Sequence, residues 1–178
     1  MKLSYAETYP VPVFGHCAAC LLAWSAMAKN TLAKWAPVPL RIVMGVGFTV
    51  HGWAKWSRGP AGFGKLLHQV GVPLPEFTAW TVTLLELIGG CLLIIGAFVA
   101  IVSVPLMISM LVAMFTVNGR YGFSAVKTIG LNDSGPIFGP PGYEINLLYI
   151  GGLFILIAAG ASPFSVDQWF RRRKVKTF

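Results

Sequence analysis

Forty-one consecutive residues, Phe77 to Val117, carry a single formal charge, Glu86. As one helix this run would extend about 60 Å at roughly 1.5 Å per residue, twice the hydrocarbon core of about 30 Å. A water-soluble fold has little use for it. Two membrane-spanning helices joined by a tight turn account for the run, and they leave a carboxylate inside the bilayer to be explained.

The rest of the chain agrees. Of 178 residues, 56% are hydrophobic and 11% charged, and the mean hydropathy is +0.70. These values place the chain in the integral-membrane class. The net charge of +8 raises the question of nucleic acid, but its distribution excludes that partner. Five of the fourteen basic residues are Arg171, Arg172, Arg173, Lys174 and Lys176, directly after the last apolar stretch. No aromatic-basic platform or reading helix accompanies them. Such a juxtamembrane tail reads as a cytoplasmic topology anchor that meets anionic head groups.

Four spans are legible. The first runs from about Ala36 to Trp56, with Pro37 and Pro39 at its entrance and Trp53 and Trp56 at its far end. A loop punctuated by Gly59, Pro60, Gly62, Gly64, Pro73 and Pro75 follows. The second span starts near Glu76 or Phe77 and ends near Gly96, where length alone forces a break. The third runs from about Phe98 to Val117, with a kink expected at Pro105. A polar connection from Asn118 to Pro141 leads to the fourth, from about Tyr143 to Ala161. The expected fold is therefore all-α, an integral membrane four-helix bundle. Nine basic residues on the side of the termini against five in the opposite loops predict both termini in the cytoplasm.

Residues 1–34 form an extension. Val11 to Ala28 is apolar but short for a span, and it contains Pro12 and His16. It admits a signal peptide cleaved after Ala26-Met27-Ala28, a fifth span, or a chain that begins at Met27. The acidic Glu7 counts against the signal peptide, and a peripheral or artefactual extension is preferred. Residues 35–167 form the membrane domain and residues 168–178 a basic tail.

The chemistry centres on Glu86. Its neighbours at helical spacing, Val82, Thr83, Gly89 and Gly90, are of modest or no bulk. That stripe lets another helix approach, so Glu86 points at a partner helix. His51 and Lys55, four residues apart on one face of the first span, are its candidate partners. Arg41, at the other end of that span, is expected to reach head groups by snorkelling. Glu144 opens the fourth span near Asn146 and Tyr149, either as a first-turn carboxylate favoured by the helix dipole or as a member of the cluster. Asn118 and Arg120 leave the third span on the same side and are placed to close the site. Met107, Met110 and Met114 share one face, read as core packing in preference to an isoprenoid-tail lining. Cys17-Ala-Ala-Cys20 has the spacing of a redox pair without a thioredoxin-like setting, and Cys91 reads as packing. Asn132-Asp-Ser134 fits a glycosylation sequon, a weak pattern. No P-loop, dinucleotide fingerprint or metal-ligand spacing occurs.

The run from Arg41 through Gly45, Gly47, His51-Gly-Trp-Ala-Lys55, then Gly71-Val-Pro-Leu-Pro75, then Glu86-Leu-Ile-Gly-Gly90 with Gly96, resembles the DoxX family. Phe138-Gly-Pro-Pro-Gly-Tyr-Glu144 with Tyr149, and Ser165-Val-Asp167, are similar to the same family. The likeness extends from about Trp35 to Asp167 and rests on the order and spacing of short motifs. It implies a four-helix membrane protein of a bacterial or archaeal inner membrane. It also implies kinship with a subunit of an archaeal thiosulfate:quinone oxidoreductase, with a mycobacterial partner of a membrane oxidoreductase complex, and with membrane cargo receptors and assembly chaperones. The extension before Trp35 lies outside the pattern, and the turn after Gly96 lacks a basic residue expected there. No catalytic residue is carried over.

Three functions follow. The first is an accessory subunit of a membrane redox complex, with a quinone near the cluster, His51 on a quinone carbonyl and Glu86 handling its proton. The second is a non-catalytic assembly factor whose buried charges set helix register. The third is a small proton-coupled transporter with Glu86 as the titrating group, and the lack of an evident inverted repeat ranks it last. The expected partners are the lipid bilayer, a protein of the same complex and a second copy of the chain; no metal is expected.

Overall fold

A computed structural model describes residues 33–160 and 162–175. Cys17, Cys20 and Met27, and with them every reading of the N-terminal extension, lie outside the described residues. The chain is mostly helical. Six α-helices are present among the described residues: α1 Pro37–Arg58, α2 Pro60–Gln69, α3 Pro75–Ile95, α4 Val99–Ala113, α5 Glu144–Ala159 and α6 Val166–Val175. Proline stands at the start of α1, α2 and α3, where a missing N–H removes no helix bond. The end of α4 relaxes into a π-helical turn, Met114–Asn118, and a short 3-10 turn, Gly119–Tyr121.

Among the described residues, two helices are long and apolar enough to cross a membrane, Pro75–Ile95 and Val99–Tyr121. Only 33% and 17% of their most apolar windows are buried inside the protein. A core helix of a soluble protein would be mostly covered, whereas these helices leave most of their apolar surface uncovered within the chain. Helix α1 is as long but carries Arg41, His51, Lys55 and Arg58, and α5 has 16 residues.

The break between the second and third spans comes from backbone conformation. Gly96 adopts φ 71°, and the Ala97 and Gly96 amides donate to Leu92 O and Leu93 O, a glycine-terminated helix end. Phe98 is also left-handed, φ 53°. Asp167 from the start of α6 then accepts hydrogen bonds from the Phe98 amide at 2.7 Å and the Val99 amide at 3.0 Å. A carboxylate thus caps α4 from across the chain.

Packing is uneven. Helix α1 lies along α3, and α4 along α5, while the α3–α4 and α1–α5 seams are thinner. The α1–α3 seam is close because Gly45 faces Gly90: a Cβ on Gly90 would stand 2.7 Å from Gly45 O and 2.6 Å from Thr49 N. The core of Met44, Phe48, Leu93, Val99, Leu106, Leu153 and Leu156 fills the half of the bundle nearer the α3–α4 turn. Towards the opposite end the two helix pairs part.

Three elements depart from the sequence expectation. The loop after the first span contains α2, whose Leu67 is buried. The polar connection folds into a hairpin, Thr128–Asn132 antiparallel to Gly135–Phe138. Its turn is held by Asn132, whose side-chain oxygen accepts the Ser134 amide at 3.0 Å, so the sequon-like residues serve a turn. The basic tail begins as helix α6.

Candidate functional site

Where the helix pairs part they enclose a cavity of about 560 Å³, within the roughly 300–1,000 Å³ of ligand pockets. Its lining is mainly apolar, and its polar groups stand on opposite walls. On the α1–α3 wall the Lys55 ammonium contacts the Glu86 carboxylate. Glu86 is 2% exposed. The Gly45–Gly90 approach brings the two helices close enough for the lysine stem to reach it. The same ammonium lies 5.0 Å from the centroid of the Phe63 ring, so α2 covers the ion pair with an aromatic face.

On the α4–α5 wall the Asn118 side-chain amide donates to Asn146 Oδ1 at 2.6 Å, and the Asn146 amide donates to Met110 O at 3.1 Å. Asn118 sits in the π-helical turn, a deviation that frees local carbonyls and often accompanies functional sites. Tyr149 completes this wall, its ring edge-on to Phe48 at 5.0 Å. Its hydroxyl lies against Gly47, where a Cβ would collide with it. Glycine at position 47 therefore makes room for the Tyr149 side chain.

The structure brings Lys55 and Glu86 together and sets Asn118 opposite them. His51 lines the same cavity from α1 and is exposed. Among the described residues it makes no hydrogen bond to either partner. Glu144 and Arg120 stand apart. The Glu144 carboxylate accepts the Ala125 amide at 2.9 Å, and its own amide donates to Phe123 O. It pins the loop that enters α5, the first-turn role, and does not line the cavity. Gly142 is crossed there so tightly that a Cβ would come within 2.7 Å of the carbonyls of Phe123 and Ser124. Arg120 is exposed and rests on the Tyr121 ring at 4.9 Å. Of the methionine face, Met110 lines the cavity, and Met107 and Met110 both pack on the core.

Sequence reasoning did not assign Phe63 or Asn146 to the site. Pro60, Phe63 and Leu67 repeat at helical spacing and signal α2. Asn146 shares the first turn of a mainly apolar helix with Glu144 and is buried there, the kind of group that must find a partner.

A second polar group lies at the other end of the bundle. Arg41, expected to reach head groups, is instead 2% exposed. Its guanidinium donates to Ser162 Oγ at 2.9 Å and Phe164 O at 3.1 Å. Ser165 Oγ donates to Ser162 O, and the Gln168 amide donates to Ser165 Oγ. The α5–α6 connection thus wraps the arginine. A planar fork suits this divided grip better than an ammonium.

Comparison with known proteins follows this division. Residues 36–119 match the family model described as DoxX, a segment that holds Arg41, His51, Lys55, Glu86 and Asn118. Over 84 residues the chain is 36% identical to the Bacillus subtilis protein named "Putative oxidoreductase CatD". The match spans 47% of this chain and 60% of that relative. No solved structure matches the chain.

Proposed function

We propose that this chain, whose residues 36–119 match the DoxX family model, is a membrane subunit that holds a quinone for an oxidoreductase complex. In this reading α1, α3, α4 and α5 all span the bilayer, as a four-helix bundle of a bacterial or archaeal inner membrane, with both termini cytoplasmic. The name of the Bacillus relative supports the link to oxidoreductases, and the cavity supports the ligand.

The observation that carries the proposal is the charge balance of the cavity. Its one buried carboxylate is already matched by Lys55. The remaining polar lining, His51, Thr78, Ser109, Thr116, Asn118, Asn146 and Tyr149, supplies hydrogen-bond donors and acceptors among apolar side chains. An anionic or cationic ligand would meet no uncompensated partner there and would bear its own desolvation cost. A neutral ring with two carbonyl oxygens fits. His51 and the Asn118 amide would hold the carbonyls from opposite walls, and Tyr149 and Phe48 would flank the ring. A quinone supplies two-electron chemistry coupled to two protons, with the electrons drawn from the partner oxidoreductase. Glu86 is the group on this chain placed to pass a proton, and Lys55 holds its carboxylate in position.

The alternative is an assembly factor in which Lys55–Glu86 and the Arg41 clasp fix helix register. The proposal is tested by purifying the protein in mild detergent and extracting it for mass spectrometry, alongside Glu86→Gln. Quinone in the wild type and at least about tenfold less in a folded Glu86→Gln, a loss of about 1.4 kcal/mol in binding, supports the proposal. Absence of quinone from both, with a protein partner retained by both, favours the assembly factor.

A further inference from the structure

The cavity is closed towards the α3–α4 turn and open at the flank where α3 and α4 separate. Near the turn the two helices touch: a Cβ on Gly89 would stand 3.1 Å from Val102 and 3.3 Å from Leu106. Farther along, Thr78, Val82 and Leu85 on α3 face a stripe of α4 that includes Ile108 and Val112, and all of them line the cavity. Ile108 is 55% exposed and Val112 42%, although both belong to the cavity wall. They therefore form a mouth and not a floor. The Met107–Met110 edge of α4 packs on the core, which leaves the Ile108–Val112 edge turned away from it.

We propose that this mouth is a lateral gate to the bilayer. Through it an isoprenoid tail leaves the cavity between Val82 on α3 and Ile108 and Val112 on α4, while the ring stays between the two polar walls. The inference rests on the quinone reading and specifies its ligand as a long-tailed, membrane-borne one. Three features argue for it. Glu86 and Asn146 are buried and the Glu86 carboxylate is matched by Lys55, so the ligand is neutral and amphiphilic. The mouth is apolar apart from the hydroxyls of Thr78, Ser109 and Thr116, which donate to Pro73 O at 3.1 Å, Leu106 O at 2.9 Å and Val112 O at 2.8 Å and so present no unpaired donor to a tail. The mouth opens through the flank of α3 and α4, both of them apolar enough to cross a membrane. A ligand arriving there never leaves the hydrocarbon. The methionine face, by contrast, packs inward and is not the path.

The test compares two ligands in lipid nanodiscs, a methylated naphthoquinone ring without a tail and the same ring with a four-isoprenoid tail, bound at equilibrium and quantified by mass spectrometry. Wild type is measured beside Ile108→Trp and Val112→Trp, which fill the mouth. Ile101→Trp serves as the control, since Ile101 is an exposed α4 residue that does not line the cavity. The gate predicts that either mouth variant binds the tailed ligand about tenfold or more weakly, with the tail-free ring within about twofold of wild type and the control unchanged. Undiminished binding of the tailed ligand by both mouth variants overturns the gate and leaves the quinone site standing. Loss of both ligands by a variant with an unchanged unfolding temperature also overturns it, placing that residue at the ring. Failure of wild type to bind either ligand removes the quinone reading and the gate together.

Discussion

At the residue scale, the account turns on a carboxylate that insertion scales charge about 2.5–3.5 kcal/mol to place in a bilayer. Lys55 offsets that cost, and the pair is asymmetric: the side chain of Glu86 is 3% exposed and that of Lys55 23%. Lys55→Met should therefore destabilise the protein by about 3 kcal/mol, the lower end for breaking a buried pair, because it strands the more buried partner. Lys55→Met combined with Glu86→Gln should recover most of the loss. A double-mutant cycle of denaturation in detergent measures both, and additive losses would mean that the two groups are not coupled. Glu86 was legible because it is alone in an apolar run, and Lys55 because helical spacing and an antiparallel return put it on the facing helix. Arg41 was misread for a physical reason. Its acceptors, Ser162 and Phe164, lie 121 and 123 positions away, and no local pattern announces a loop that wraps a guanidinium. Glu144 shows the same limit: its partner is a backbone amide in a loop whose path depends on the whole connection.

At the scale of elements, four apolar helices were readable from hydropathy and punctuation to within a few residues, and the smaller elements were not. Helix α2 hid behind its glycines and prolines, although Pro60 starts it and Phe63 and Leu67 mark its inner face. The hairpin carries exposed apolar residues on both strands, Ile129, Leu131, Ile137 and Phe138; Ile129 and Leu131 alternate, but neither strand has a buried face, and Gly130, Gly135 and Pro136 read as loop. The α1–α3 crossing is the element contact on which the ion pair depends. Gly90→Val would drive a side chain into the Gly45 carbonyl and the Thr49 amide, atoms that cannot swing aside. The expected cost is at least the 1–3 kcal/mol or so of ordinary overpacking, with Lys55 drawn away from Glu86. Thermal unfolding checks the cost, and a smaller effect of Lys55→Met in the Gly90→Val background than in wild type checks the displacement; a wild-type melting temperature would contradict the close crossing.

At the scale of the whole molecule, two tightly paired helix couples meet near the α3–α4 turn and part at the other end, where each couple contributes one polar wall. This division explains how four helices hold a ligand-sized cavity between them. Helix pairing was implicit in the chain order, but the parting of the couples depends on side-chain volumes along two seams and could not be read from periodicity. The Arg41 clasp and the Asp167 cap tie the closed end to the start of α6, so the open end is where the molecule can admit a ligand. The central claim is that a neutral ring sits between those walls. A photoreactive quinone cross-linked in nanodiscs and mapped by peptide mass spectrometry tests it most directly. The account predicts labelled peptides from both walls, one carrying Val82 to Glu86 and the other carrying Met110 to Asn118 or Asn146 to Tyr149, with labelling displaced by unlabelled quinone. Labelling confined to the outer surfaces, or undiminished by competitor, would contradict it.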